Sequence, residues 1–343
     1  MGIGHAQMDV EQAWTGLRHV RQDIVLRDLT ISPPLILAPM AGLTHSALRQ
    51  VIAGFGGAGL LSTEMLSARH LPDENPCVSP CLVRSSLERP LSYQLLVASV
   101  ADVGAAIEKL HQLRADAVDI NMGCPVRSIN SYGAGAALME NPGNVRSIIL
   151  EARRRTSLPL TAKIRLGIEL DDAKLKSFCR MLEGEGIDMI SIHARLKKES
   201  FARRPKWEYI SRIKEWINIP VIANGGIFSV QDARDCLVKS GADGLMIGRG
   251  AAVKPWLFAD IAHEVYERES MRHQVSYPMT YCRYTDLLDA YRPERRLGRL
   301  KEFTHYFAAN FTFGHQLSCQ IQNSKSVTEA REKALSFFQR HCN

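Results

Sequence analysis

The sequence predicts an α/β protein: a (β/α)8 TIM barrel followed by a small all-helical domain. Three observations predict it. Eight short apolar runs recur between residues 35 and 248, several of them continuous rather than alternating, as in strands covered on both faces. Segments with helical spacing lie between most of these runs, and each parallel return to a sheet needs such a crossover. From about residue 271 onward the strand-helix repeat stops and helical periodicity alone remains. An open doubly wound sheet is the competing topology, but it leaves eight evenly used strand ends unexplained.

The runs, in order, are LILAP (35–39), GLLST (59–63), LSYQLL (91–96), AVDIN (117–121), LTAKIR (160–165), DMISIH (188–193), PVIAN (220–224) and DGLMIG (243–248). Helical spacing covers 101–113, 143–155, 171–185, 207–217 and 229–239. Residues 66–90 carry four prolines and make a poor crossover helix; they read as an active-site loop with one short helix. In the tail, Leu297, Leu300, Phe303, Phe307 and Phe311 share one helical side, with Arg295, Arg299, Glu302 and Tyr306 on the other, wet side. Pro293 suits the first turn of that helix, where a missing N–H costs little, and 327–341 forms a further helix. The expected domains are an N-terminal extension at 1–30, the barrel at 31–270 and the helical domain at 271–343.

Composition narrows the classes. The chain has 343 residues, enough for a full core, and eight scattered cysteines with no CxxC pair, which excludes a disulfide-built miniprotein and fits a reducing cytoplasm. The first residues contain acids and no apolar stretch before a cleavage site, and no run approaches the roughly 18 apolar residues of a membrane span. His193 and His45 lack a tetrahedral ligand set, so no metal is expected. Lys plus Arg outnumber Asp plus Glu by 43 to 36, for a net charge of +7, a balance that favours polyanionic partners. No protein partner is read from the sequence, and a monomer is expected.

In a barrel, functional side chains gather at the C-terminal strand ends. That rule brings Pro39 and Met40, Gln94, Asn121 with Cys124, Lys163 with Arg165, His193 with Arg195, Asn224-Gly225-Gly226 and Gly248-Arg249 to one mouth. The glycines after the last two strands let backbone N–H groups approach a phosphate, and Arg249 adds a donor fork. Lys163 and His193 suit the charge that a flavin ring gains near N1 and O2 on reduction, and the Gln94 amide can serve the ring edge. With one phosphate cradle and no GxGxxG fingerprint, FMN is the expected cofactor. Cys124 lies in an NMGCP loop outside any apolar stripe, where its thiol can act as general acid opposite a hydride donor. Arg127 and Arg165 either lower that thiol's pKa or bind substrate phosphate. Basic residues cluster after the sixth run (Arg195, Lys197, Lys198, Arg203, Arg204, Lys206) and in the tail (Arg292, Arg295, Arg296, Arg299, Lys301). Two such clusters suggest a clamp on structured RNA.

The segments LAPMAGLTHSALR (37–49), DINMGCPVRSINSYGAGAAL (119–138), TAKIRLG (161–167), SIHAR (191–195), VIANGGI (221–227) and GADGLMIGRGA (241–251) together resemble the tRNA-dihydrouridine synthase family. The resemblance covers nearly all of the barrel and, more loosely, the tail. It implies an FMN-containing barrel joined to a helical RNA-binding domain, reducing particular uridines of tRNA to 5,6-dihydrouridine with NADPH as electron donor. It further implies hydride transfer to uracil C6 and protonation of C5 by Cys124. Met40, Gln94, Lys163, His193, Asn224, Gly226, Gly248 and Arg249 then surround FMN, with Asn121 beside the base. This chain has Thr44-His45 where many relatives have Thr-Asp, and His193-Ala194-Arg195-Leu196 where many read HGRT. From the residues alone, other functions stay open: reduction of a free pyrimidine or another small unsaturated substrate, an isomerase or lyase acting on a phosphorylated metabolite, and a non-catalytic RNA-binding protein.

Overall fold

The computed structural model describes residues 22–79, 81–269 and 274–341. Of the expected extension 1–30, residues 1–21 lie outside the described residues. The rest enters as a hairpin, β1 (Ile24–Leu26) and β2 (Leu29–Ile31). Ile24, Leu26 and Ile31 pack against Ile36, Met189, Ile222 and Met246 of the barrel strands, so the hairpin stoppers the barrel at its N-terminal end. Arg27 at the turn pairs with Asp188 at 2.9 Å. Strands of three residues are too short for a period to show, and the hairpin has no counterpart among the predicted elements.

Each of the eight apolar runs is a parallel strand: β3 (Leu35–Leu37), β4 (Leu61–Ser67), β5 (Leu91–Leu96), β6 (Ala117–Met122), β7 (Leu160–Arg165), β8 (Met189–His193), β9 (Val221–Asn224) and β10 (Gly244–Ile247). Neighbours pair in sequence from β4 to β10, β10 pairs with β3, and a bridge between Ile36 and Leu60 closes the ring. β4 runs past the predicted end at residue 63 because Glu64, a charged residue, is buried within it.

The crossover helices are α1 (Ser46–Phe55), α2 (Val103–Gln112), α3 (Pro142–Arg155), α4 (Asp172–Gly184), α5 (Glu208–Lys214) and α6 (Val230–Ser240), followed by α7 (Arg249–Val253) and α8 (Leu257–Glu264). Local signals set their ends. In α6, the Ser229 hydroxyl accepts from the Asp232 N–H at 3.0 Å, and Gly241 closes the helix at φ +58°. Between β4 and β5 the one helical element among the described residues is a turn at Leu71–Asp73. This segment does not line the cavity described below, contrary to the active-site loop expected from its prolines. Its role is structural: Glu88 is fully buried and bonds to Arg49 of α1 at 2.5 Å and to the Ser46 hydroxyl at 2.5 Å.

The tail folds as α9 (Tyr277–Leu287), α10 (Pro293–Phe307), α11 (Gly314–Gln322) and α12 (Val327–His341). Sequence periodicity marks α10 and α12; α9 and α11 are short and rich in polar residues, which hides their buried faces. The core is aromatic, with Tyr281, Tyr284, Phe303, Phe307, Phe337 and Phe338 all buried and Tyr284 stacked on Phe303 at 3.9 Å.

Side chains of the tail complete the barrel's own hydrogen bonds. The Tyr291 hydroxyl accepts from the Ala47 N–H at 2.8 Å and faces His45 Nδ1 at 3.3 Å. Tyr284 Oη donates to the Arg299 carbonyl and faces His45 Nε2, both at 3.2 Å. One proton arrangement satisfies all four contacts: Tyr291 donates to Nδ1, and Nε2–H donates to Tyr284. His45 is therefore neutral, and burial, reinforced by Arg299 and Arg49, holds its pKa well below the ordinary imidazole value. His45 is thus a bridge between barrel and tail.

Candidate active site

A cavity of about 270 Å³ opens at the C-terminal mouth of the barrel. Of the predicted site residues, Pro39, Met40, Asn121, Cys124, Lys163, Arg165, His193, Asn224, Gly225, Gly226, Gly248 and Arg249 line it. Strand register explains the convergence. Asn121 pairs with Lys163, Arg165 with His193, and His193 with Asn224, so residues far apart in sequence share one level of the ring. A larger groove, about 760 Å³, lies outside the barrel between α3 and α4 and holds none of the predicted site residues.

The Cys124 loop is held from both sides. Asn121 Oδ1 accepts from the N–H of Gly123 at 3.2 Å and of Cys124 at 3.1 Å. The Cys124 carbonyl accepts from the Ala136 N–H and from Asn130 Nδ2, each at 2.9 Å. Gly135, at φ +62°, lets the two segments meet, since a Cβ there would stand 2.8 Å from the Cys124 carbonyl oxygen. The thiol itself is partly exposed on the cavity wall.

Opposite this loop, Gly225 adopts φ +105°, and a Cβ would come within 2.7 Å of the His193 ring. Asn224 Nδ2 donates to the Met246 carbonyl at 2.8 Å and ties the last two strand ends together. Arg249 sits 4.7 Å from the ring centre of Phe201 and 5.6 Å from that of Phe228. These two aromatics also line the cavity and are absent from the predicted set. A lone aromatic in the basic stretch KKESFARR was the available signal for Phe201.

The electrostatics are one-sided. Among the described residues, no carboxylate forms an ion pair with Lys163, Arg165 or Arg249. Burial, with Arg165 adding to it, pushes the Lys163 ammonium down to about 8. Burial likewise lowers His193, and Lys163 and three arginines act in the same direction, so the imidazole is neutral. Arg195 Nη1 lies 3.0 Å from His193 Nε2. A guanidinium only donates, so Nε2 accepts and the ring proton is on Nδ1.

Three predicted residues take places other than those expected, and two stay at the surface. Gln94 is fully buried and does not line the cavity; it lies beneath the floor, bonded to Asp119 and Asn121. Arg195 points inward at 2% exposure, held there by its bonds to His193 and the carbonyls of Phe201 and Arg203. Arg299 leaves the wet face of α10 and donates to Glu64 at 2.8 Å; burial opposes its charge, but the Glu64 carboxylate prevails and raises its pKa. Arg127 is exposed on a helical turn beside Cys124, and Arg295 is exposed on α10. Lys197 and Lys206 of the basic loop are ion-paired with Glu140 and Glu199. Lys198, Arg203, Arg204, Arg292 and Arg295 remain exposed, with no ion pair among the described residues.

Buried and half-buried cations with no ion-paired carboxylate among the described residues, next to glycine loops that a side chain would fill, form a receptor for an anionic cofactor. Flavin-dependent oxidoreductases built on a (β/α)8 barrel are the class of protein with this design. The comparisons with known proteins agree. The family model described as dihydrouridine synthase (Dus) matches residues 36–340. A probable tRNA-dihydrouridine synthase of Rhodobacter capsulatus is 35% identical over 244 residues, covering 71% of this chain and 75% of its own. The tRNA-dihydrouridine synthase B of Pseudomonas aeruginosa is 33% identical over 234 residues, 68% of this chain and 70% of its own. Among solved structures, the 2-naphthoyl-CoA reductase complex with 2-naphthoyl-CoA superposes with a TM-score of 0.55 at 11% identity, over 73% of this chain and 53% of that one, a likeness of fold. This chain belongs to the dihydrouridine synthase family of FMN-dependent oxidoreductases.

Proposed function

We propose that this chain reduces a uridine of tRNA to 5,6-dihydrouridine, using FMN in the cavity and NADPH as the electron donor. The observation that carries the reading is the pairing of a partly exposed cysteine, Cys124, with a cationic wall whose Lys163, Arg165 and Arg249 form no ion pair with a carboxylate among the described residues, across one small cavity. Lys163, Arg249 and the glycine loops at Gly225-Gly226 and Gly248 fit the phosphate and the anionic edge of FMN. When bound, FMN supplies the hydride that goes to C6 of the uracil. His193 offers Nδ1–H as a hydrogen-bond donor, and the Cys124 thiol gives its proton to C5, saturating the bond from the opposite side. Asn121 stands beside the base. The exposed Arg127, Lys198, Arg203, Arg204, Arg292 and Arg295 lie on the rim loops and the tail, where they can follow an RNA backbone, and the helical tail is accordingly an RNA-binding domain. Reaching a base in folded RNA requires its extrusion into the mouth.

Nucleoside mass spectrometry of tRNA treated with FMN, NADPH and either wild-type or Cys124→Ala protein tests the reading. The wild type should add two hydrogens to uridine. The variant should keep its FMN and lose turnover by about 100-fold or more, the usual weight of a general acid. A variant that works at the wild-type rate, or a wild type that binds no FMN, would refute it.

A further inference from the structure

Below the cavity floor, one continuous line of hydrogen bonds runs from the barrel interior to the Cys124 backbone. Strand register sets Gln94, Asp119 and Thr161 side by side on β5, β6 and β7. The Asp119 carboxylate accepts from the Thr161 hydroxyl at 2.5 Å and from Gln94 Nε2 at 2.6 Å. Asn121 Nδ2 donates to Gln94 Oε1 at 2.7 Å. The other end of the Asn121 amide accepts from the N–H groups of Gly123 and Cys124.

A side-chain amide can point either way, but this line admits only one direction. Burial raises the Asp119 pKa, against the bonds from Thr161 and Gln94 and the charge of Lys163, and in either protonation state the carboxyl oxygen facing Gln94 can accept, so Gln94 turns its NH2 to Asp119 and its oxygen to Asn121. Backbone N–H groups only donate, so Asn121 must turn its oxygen to the Cys124 loop and its NH2 to Gln94. The two ends agree, and every bond in the line is satisfied. Asp119 and Gln94 are almost fully buried, and neither lines the cavity.

We propose that Asp119 and Gln94 are positioning residues for the proton donor: the buried Asp119–Gln94–Asn121 line of hydrogen bonds holds the Asn121 amide against the Cys124 loop, which fixes the backbone of Cys124 and the place of its thiol at the cavity wall. The functional weight of this relay rests on the reading of Cys124 as the acid; the geometry does not.

The test is the iodoacetamide labelling rate of Cys124 relative to exposed Cys319, measured by peptide mass spectrometry in protein supplied with saturating FMN and without RNA. Gln94→Met cuts the relay without adding charge, and the freed loop should label about tenfold faster, as expected for losing buried hydrogen bonds. The paired exchange Asp119→Asn with Gln94→Glu keeps every donor opposite an acceptor: the amide introduced on β6 would donate to the carboxylate introduced on β5, which would still accept from Asn121. Its labelling ratio should return to within about twofold of wild type. An unchanged ratio in Gln94→Met, or a double variant that labels as fast as Gln94→Met, overturns the proposal. If Gln94→Met does not fold, the double variant decides alone: folded with the wild-type ratio it supports the relay, unfolded or fast-labelling it refutes it. A chain that binds no flavin or reduces no RNA would defeat the functional reading while leaving this ratio measurable.

Discussion

Lys163 gives the cavity a pH dependence with a calculable size. Its ammonium lies on the cavity wall with no carboxylate in ion-pair reach among the described residues, and burial together with Arg165 brings its pKa to about 8. From about pH 7 to about pH 9, the ligand-free protein goes from about nine-tenths charged to about one-tenth on a one-proton curve. An anionic flavin held against the ammonium keeps the proton on, so binding at the higher pH must first take one up. The dissociation constant should rise about tenfold across that window, equivalent to about 1.4 kcal/mol. Stability moves the other way. The unfolded chain holds the Lys163 proton up to its ordinary value of 10.5, so the flavin-free fold gains from this residue as pH rises from about 8. Fluorescence quenching of FMN, titrated at several pH values, reads the affinity. Lys163→Gln should bind at every pH at least as weakly as wild type does at about pH 9 and show no slope from this group. A flat wild-type profile, or an equal slope in the variant, would refute the assignment of Lys163 as the titrating contact.

Two predictions concern stability. Arg49→Met strips the partner from the fully buried Glu88 and should cost about 3–5 kcal/mol in urea unfolding; a loss below about 1 kcal/mol, the scale of an exposed pair, would contradict the burial. His45 stays neutral when folded but takes up a proton when unfolded below its ordinary value of 6.5, so its contribution is complete above that pH and fades as acid is added. Below about pH 6, wild type should lose about 1.4 kcal/mol per pH unit more than His45→Gln, and parallel unfolding profiles for the two proteins would show that the bridge is not neutral.

The barrel was legible because its strands are buried on both sides. Continuous apolar runs such as those ending at Asn121 and His193 need no partner to be recognised, and the barrel rule then places their ends together. The direction of a long side chain was not legible. Arg195, Arg299 and Gln94 stand where the pattern puts their backbones, yet each is drawn inward by an acceptor from elsewhere in the chain: the Phe201 carbonyl, Glu64 and Asp119. Such partners are 6, 235 and 25 residues away in sequence, beyond anything a local period reports. Glu64 was missed for the complementary reason: a charge reads as the end of a strand unless its counter-ion is known. His45 shows the same limit, since its two tyrosine neighbours come from the tail.

The hairpin at Ile24–Ile31 has a kinetic corollary. With the N-terminal end of the barrel corked by Ile24, Leu26 and Ile31, the cavity opens among the described residues at the C-terminal mouth. In the proposed reaction, the nicotinamide that recharges the flavin and the nucleotide that consumes the electrons must use that doorway by turns. Turnover should then alternate two half-reactions, each reactant acting as a competitor of the other.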